Sequence, residues 1–176
     1  MSVHNMGGIR NANRIMGDLK PYVSKTMQGK EYVYYLNKEG HAMFGDDGKV
    51  VSRGKLAHAL LCNEAWLHLF CPDDWQIETE ICYRKNGEKK RIIPDVKFRD
   101  EEGILHAVEI DRSQKMKINE EKLKKYEEFT KIYKQKYSGK MPVIHFFTVT
   151  KYREKKLEEL AAKYDVFVKV YVLEGI

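Results

Sequence analysis

Cysteine is scarce in this chain and poorly spaced for chemistry. Its three residues, Cys62, Cys71 and Cys82, form no CxxC pair. An odd, scattered set fits reduced thiols in a cytosol rather than a disulfide framework or a zinc site. The six histidines fall in no HxH or HExxH spacing, which leaves zinc hydrolysis and Cys/His acyl transfer without support. GxxxxGK[ST] and GxGxxG are both absent, so no phosphate-cradling glycine loop is written into the sequence. No apolar run approaches the ~18 residues of a membrane helix, and no signal-peptide core is present, so neither a membrane nor secretion is expected.

Charge, by contrast, is plentiful. Lys and Arg number 32 against 26 Asp and Glu, a net charge of +6. That balance permits phosphate binding without demanding it. A length of 176 residues suits one domain with a small appendage, and buries about two-thirds of the unfolded surface without a metal or disulfide staple.

Along the chain, "IRNANRIMGDLKPYV" places Ile9, Ile15, Met16 and Leu19 at helical spacing, with Arg10, Asn11, Asn13 and Arg14 on the other side. Pro21 predicts a helix end near Leu19 or Lys20. The β-rich runs "YVSKTM" and "EYVYYLN" flank "QGK", a hairpin signal. Helix plus ribbon matches the back half of a winged helix; the alternative is a helix and hairpin that merely pack on a larger domain. The Gly/Asp-rich stretch "GDDGKVVSRG" marks a linker over 45–54, separating a reduced winged-helix-like segment, 1–44, from an α/β core, 55–176. In the core, "HALLCNEAWLHLF" predicts a mostly buried helix. Three strands joined by tight turns follow: "WQIETEICYR", with Trp75, Ile77, Ile81 and Tyr83 on one face, then "KRIIPDVKF" and "ILHAVEID". A long helix over about 119–137, the strand "MPVIHFFTV", a charged helix over about 151–164 and the strand "VFVKVYVL" complete an α-β-β-β-α-β-α-β order. The order implies an antiparallel meander extended by crossover helices.

Acidic residues recur at matching places on these strands. A type I′ turn at Asn86-Gly87 pairs Lys85 with Glu88 and brings Glu78 opposite Asp95; a turn centred on Glu102 brings Asp95 opposite Glu109, with Asp111 two residues further on the same face. Like charges across a sheet repel, so the row calls for water or a cation. Mg²⁺ or Mn²⁺ would take such oxygen ligands, with Glu78, Asp95, Glu109 and Asp111 as candidate metal-binding residues. The alternative is a solvent-facing row answered by lysines. Lys97, Lys115 and Lys122 are candidates to stand near a phosphate; Lys122 shares a helix stripe with Tyr126, Phe129 and Tyr133.

The element order with "IIPDVKF…HAVEID" resembles the PD-(D/E)XK nuclease superfamily, whose core is αβββαβ. Pro94-Asp95 matches its PD, and Glu109-Ile110-Asp111 stands at its (D/E)XK, with Asp111 in place of the lysine. The resemblance implies a restriction-endonuclease-like core with Asp95, Glu109 and Asp111 as catalytic acids, and Lys97 or Lys122 as the displaced lysine. Some members of that superfamily retain binding without catalysis. A second resemblance covers most of the chain: "YVYYLNKEG", "HALLCNE", "WQIE", "IPDVKF", "VEIDRSQKMKINEEKLKKYEEF" and "FFTVTKYREKKLEEL" are similar to the replication-relaxation proteins of plasmids and other mobile elements. It implies DNA binding in replication or relaxation, with DNA, replication proteins of the element and a second copy of the chain as candidate partners. The shortened winged helix would present Arg10, Asn11, Asn13 and Arg14. The "RKNGEKKR" hairpin tip, with Arg84, Lys85, Lys89 and Lys90, is a second candidate DNA contact, or else a solvated turn. Glu64, in the matching helix motif with His58 and Asn63, is a candidate supporting acid.

Overall fold

The computed structural model describes residues 7–45 and 53–173. Most of the expected linker, 46–52, lies outside the described residues. The chain divides into two compact units, Met1–Ala59 and Leu60–Ile176, with the division inside a helix.

In the first unit, α1 (Ile9–Asp18) closes at Leu19, two residues before Pro21, where the missing amide and the restricted preceding residue oppose further helix. β1 (Val23–Gln28) and β2 (Glu31–Leu36) pair antiparallel, turning through Gly29 at φ +61°. The sequence reading assigned no element after them, yet α2 (Lys38–Met43) follows directly. Asn37 starts it: its side-chain oxygen accepts from the Gly40 amide at 2.9 Å, and its amide nitrogen donates to the Pro21 carbonyl at 2.9 Å, an N-cap with a second anchor. Gly40, the glycine of "YVYYLNKEG", is buried, and a Cβ there would stand 2.2 Å from the Tyr22 carbonyl oxygen. Gly40→Ala is therefore expected to destabilise this unit by about 1–3 kcal/mol, because backbone must move to admit the methyl. Faster amide exchange across β1 and β2 checks this; unchanged exchange would remove the close-approach explanation for the glycine.

The second unit carries a mixed five-stranded sheet in the order β3 (Gln76–Ile77), β6 (Val96–Arg99), β7 (Leu105–Asp111), β8 (Val143–Thr148), β9 (Phe167–Val172). β3, β6 and β7 are antiparallel; β8 and β9 are parallel additions reached through α4 (Met116–Lys136) and α5 (Lys151–Ala161). β4 (Ile81–Lys85) and β5 (Glu88–Ile92) form a separate ribbon whose turn is at Asn86-Gly87. The expected strands are thus each broken in two. Glu78 takes φ +46°, outside the extended region, and Pro94 supplies no amide to a ladder. The register nonetheless runs through the break unchanged, from Lys85↔Glu88 to Ile77↔Val96.

The break corrects the expected facing of the first strand. Trp75 packs with the core of Leu61, Cys62, Ala65, Val96, Phe98, Val108 and Ile110, whereas Ile81 and Tyr83 pack with Ala107, Leu123, Tyr126, Phe129 and Phe146. Ile77 is 59% exposed. A left-handed residue interrupts the two-residue alternation that would have kept all four on one side. The first of these cores lies under α3 (Leu56–His68) and the second under α4 and α5, so β7 sends Val108 and Ile110 to one face and Ala107, Glu109 and Asp111 to the other. In α4 the buried residues Asn119, Leu123, Tyr126, Phe129 and Tyr133 recur every three or four positions, with Thr130 beside Phe129, one stripe against the sheet.

Candidate functional site: an ion-paired carboxylate network

Asp95 stands where the meander opens. Its main-chain oxygen accepts from the Glu78 amide at 2.9 Å, and its carboxylate accepts from the Ile110 amide at 2.6 Å. Ile110 falls opposite Pro94 in the β6–β7 register, beyond the last ladder pair, and the carboxylate takes the amide that the interrupted strand leaves over. The predicted row is present in the backbone, since Glu78 meets Asp95 and the same register brings Asp95 opposite Glu109. The side chains part company: Glu78 is exposed, Asp95 half-buried and Glu109 1% exposed.

Glu109 is enclosed by α4. One carboxylate oxygen accepts from Lys122 Nζ at 2.5 Å, the other from Tyr126 Oη at 2.6 Å. Burial pushes its pKa up to about 7, against the opposing pull of Lys122, and the nearby Asp95 charge adds to the rise. The carboxylate in turn holds the Lys122 pKa above its usual value despite burial. Asp111, also 1% exposed, is held by the fork of Arg153 from the start of α5: Nε to Oδ2 and Nη2 to Oδ1, both at 2.7 Å, with Asn119 donating to Oδ1 at 3.0 Å. Two parallel bonds of this kind are the strong geometry for a guanidinium and a carboxylate. Thr150 caps α5 by accepting from the Arg153 amide, which fixes where that arginine emerges.

Lys122 and Arg153 are therefore the cations paired with Glu109 and Asp111. Among the described residues no three His, Cys, Asp or Glu converge as metal ligands. Both oxygens of Glu109 and both of Asp111 already accept from protein donors, so this arrangement does not fit a divalent ion on those two residues. Lys122 does meet Glu109 as nominated. Lys97 shares the acids' side of its strand but donates to the Glu80 carbonyl at 2.8 Å, and Lys115 is an exposed residue preceding α4. Glu64 is half-buried. It lies on α3, whose Leu61, Cys62 and Ala65 cover the opposite face of the sheet. The Cys62 thiol there is pushed up to about 12, chiefly by burial, which makes it inert as a nucleophile.

The two nominated DNA-contacting groups also sort themselves. On α1, Arg10, Asn11, Asn13 and Arg14 are all exposed, and Arg14 pairs with Asp18 at 3.2 Å, an exposed contact worth little. On the β4–β5 ribbon, Lys85 and Lys90 both reach Glu128 of α4, as does the Tyr83 hydroxyl; their donors pull the Glu128 pKa down to about 2. Arg84 and Lys89 pair across the strands and stay exposed.

A family model described as replication-relaxation matches residues 1–144. The chain belongs to the replication-relaxation family. The matched span runs from α1 into β8 and holds Asp95, Glu109, Asp111 and Lys122, but Arg153 lies beyond it. No curated protein matches the sequence. Among solved structures, that of protein VC1899 from Vibrio cholerae is similar at 15% identity with a TM-score of 0.39, over 93% of this chain and 40% of that one. This replication-relaxation chain thus spans about two-fifths of that protein's length.

Sequence reasoning missed Arg153, Asn119, Tyr126 as a ligand of Glu109, and Glu128. Each is a helix residue reaching a strand 8 to 45 positions away. Thr150, a capping residue before a charged helix, was the visible sign that α5 begins here.

Proposed function

We propose that the protein binds DNA in the replication or relaxation of a plasmid or other mobile element, and that its nuclease-like core serves as a non-catalytic scaffold. The family assignment supports the setting. The observation that carries the second half is the pairing of the two buried acids with Lys122 and Arg153, which leaves them neutralised by the protein itself. DNA contact is assigned to the exposed Arg10, Asn11, Asn13 and Arg14 of α1, ahead of the β1–β2 ribbon, in the manner of a helix and wing.

A second reading, a Mg²⁺- or Mn²⁺-dependent endonuclease or nickase, is favoured by one feature: Lys122 stands against Glu109, with the Asp95 charge acting on both. The experiment that separates the readings follows supercoiled plasmid in Mn²⁺ with wild type and Asp95→Ala, scoring nicking and binding on the same DNA. Equal binding without nicking by either is expected. Nicking by wild type alone would replace the scaffold reading with the nuclease. Removing the α1 cations with Arg10→Gln and Arg14→Gln is expected to reduce the slope of log affinity against log salt by about 0.9 per lost phosphate contact on duplex DNA. An unchanged slope would move the DNA contact away from α1.

A further inference from the structure

A cavity of about 640 Å³ opens between the β4–β5 ribbon and the C-terminal half of α4. Its charged lining is of one sign. Arg84, Lys89, Arg99 and Lys136 all border it, and no Asp or Glu does. Arg84 and Lys89 stand directly opposite each other on the two strands, an arrangement that repels and destabilises the ribbon unless an anion relieves it. Neither side chain forms an ion pair or hydrogen bond among the described residues, although the adjacent Lys85 and Lys90 both pair with Glu128. Glu128 is thus engaged by the neighbouring pair of lysines.

The floor of the cavity is aromatic. Tyr83, Phe129, Tyr133 and Tyr137 line it, the Tyr133 and Tyr137 rings lying 4.3 Å apart at 32°. Tyr137, at the end of α4, is half-buried and carries Lys136 over its ring at 5.4 Å. Cations along a rim and ring faces below it recognise alternating phosphates and bases. Duplex DNA keeps its bases stacked inside the helix and offers the phosphates alone, so aromatic lining would be idle against it. The volume falls within the range of small-ligand clefts and suits one or two nucleotides.

We propose that this cavity binds a segment of single-stranded DNA, with Arg84 and Lys89 on successive phosphates and a base stacked on Tyr137. The inference rests on the DNA-binding reading above and gives it a second site, distinct in residues and in the form of DNA recognised. A protein acting in replication or relaxation meets single strands wherever the duplex is opened.

The test measures binding of fluorescent oligothymidylate and of a duplex by wild type, by Arg84→Gln/Lys89→Gln and by Tyr137→Leu, across a salt series. The altered side chains are exposed or half-buried, and an unchanged urea-unfolding transition reports an intact fold of the unit that carries them. For the single strand, the double variant is expected to lower the salt slope by about 1.4, from two lost phosphate contacts, and Tyr137→Leu to weaken binding about five-fold or more. Neither should alter duplex affinity. Wild type that binds duplex but not oligothymidylate overturns the cavity assignment and leaves the DNA-binding reading standing. Equal losses on both DNAs overturn it too, since they would mark general electrostatics. If wild type binds neither DNA at low salt, both readings fall.

Discussion

Arg153→Ala is expected to cost the fold about 3–5 kcal/mol, because it removes the partner of a buried charge rather than an ordinary surface contact. Asp111 is 1% exposed and would keep Asn119 as its remaining side-chain donor. A loss of that size is a large share of the roughly 5–15 kcal/mol that stabilises a typical domain. Adding Asp111→Asn to Arg153→Ala should recover part of the loss, since the amide fills the same space without a charge to leave unpaired. Urea denaturation of the wild type and both variants provides the measurement. Arg153→Ala with wild-type stability would mean that Asp111 does not depend on the arginine, and would reopen that carboxylate to other ligands.

The second large effect is a pH dependence centred on Glu109. Its pKa in the folded protein is raised from an ordinary 4.5 to about 7, so between these values the folded state holds a proton that the unfolded state releases. Stability from this group is full below about pH 4.5 and falls as pH rises towards 7, after which it levels off. The expected loss is of order 1–3 kcal/mol. His145 acts in the opposite sense: burial depresses its pKa from 6.5 to about 3, so its contribution is lost as pH falls through that window. The two slopes partly cancel in the wild type. Subtracting the stability curve of Glu109→Gln from that of wild type isolates the acid, and a difference that does not change between pH 4.5 and 7 would sink the assignment.

Both effects arise from one solution to the problem of four acids on three neighbouring strands. The repulsion is met by separating the side chains. Glu78 stays with solvent, Asp95 takes the Ile110 amide, and Glu109 and Asp111 are buried against helix cations. Such pairs add little net stability over apolar packing, yet their rupture is expensive. They therefore tie the positions of α4 and α5 to β7 more than they strengthen the core.

How much of this was legible in the sequence can be judged from particular residues. The Asn86-Gly87 turn was enough to align Glu78 with Asp95, because a two-residue turn leaves no freedom in the register that follows. The centre of the Glu102 turn did the same for Asp95 and Glu109. The stripe Lys122-Tyr126-Phe129-Tyr133 made Lys122 a candidate to face inward, its three companions being buried aromatics, but a lysine there could equally have snorkelled to water. The breaks at Glu78 and Pro94 were not legible in the alternation of the strands, which reads the same on either side of a residue that leaves the extended conformation. Nor was α2, whose start depends on the Asn37 cap and whose approach to Tyr22 admits a glycine alone.

The sequence by itself determined the element order apart from α2 and the two strand breaks, the strand register, the absence of zinc-site and glycine-loop motifs and the kinship with replication-relaxation proteins, because these depend on local periodicity, turn chemistry and motif spacing. Tertiary structure decided which charge meets which. Arg153 reaches Asp111 across 42 positions, and Glu128 accepts from Lys85 and Lys90 across 43 and 38, leaving Arg84 and Lys89 over an aromatic cavity. Such pairings follow from the packing of α4 and α5 on the sheet, and Coulomb interactions act on distance in space with no regard for distance along the chain.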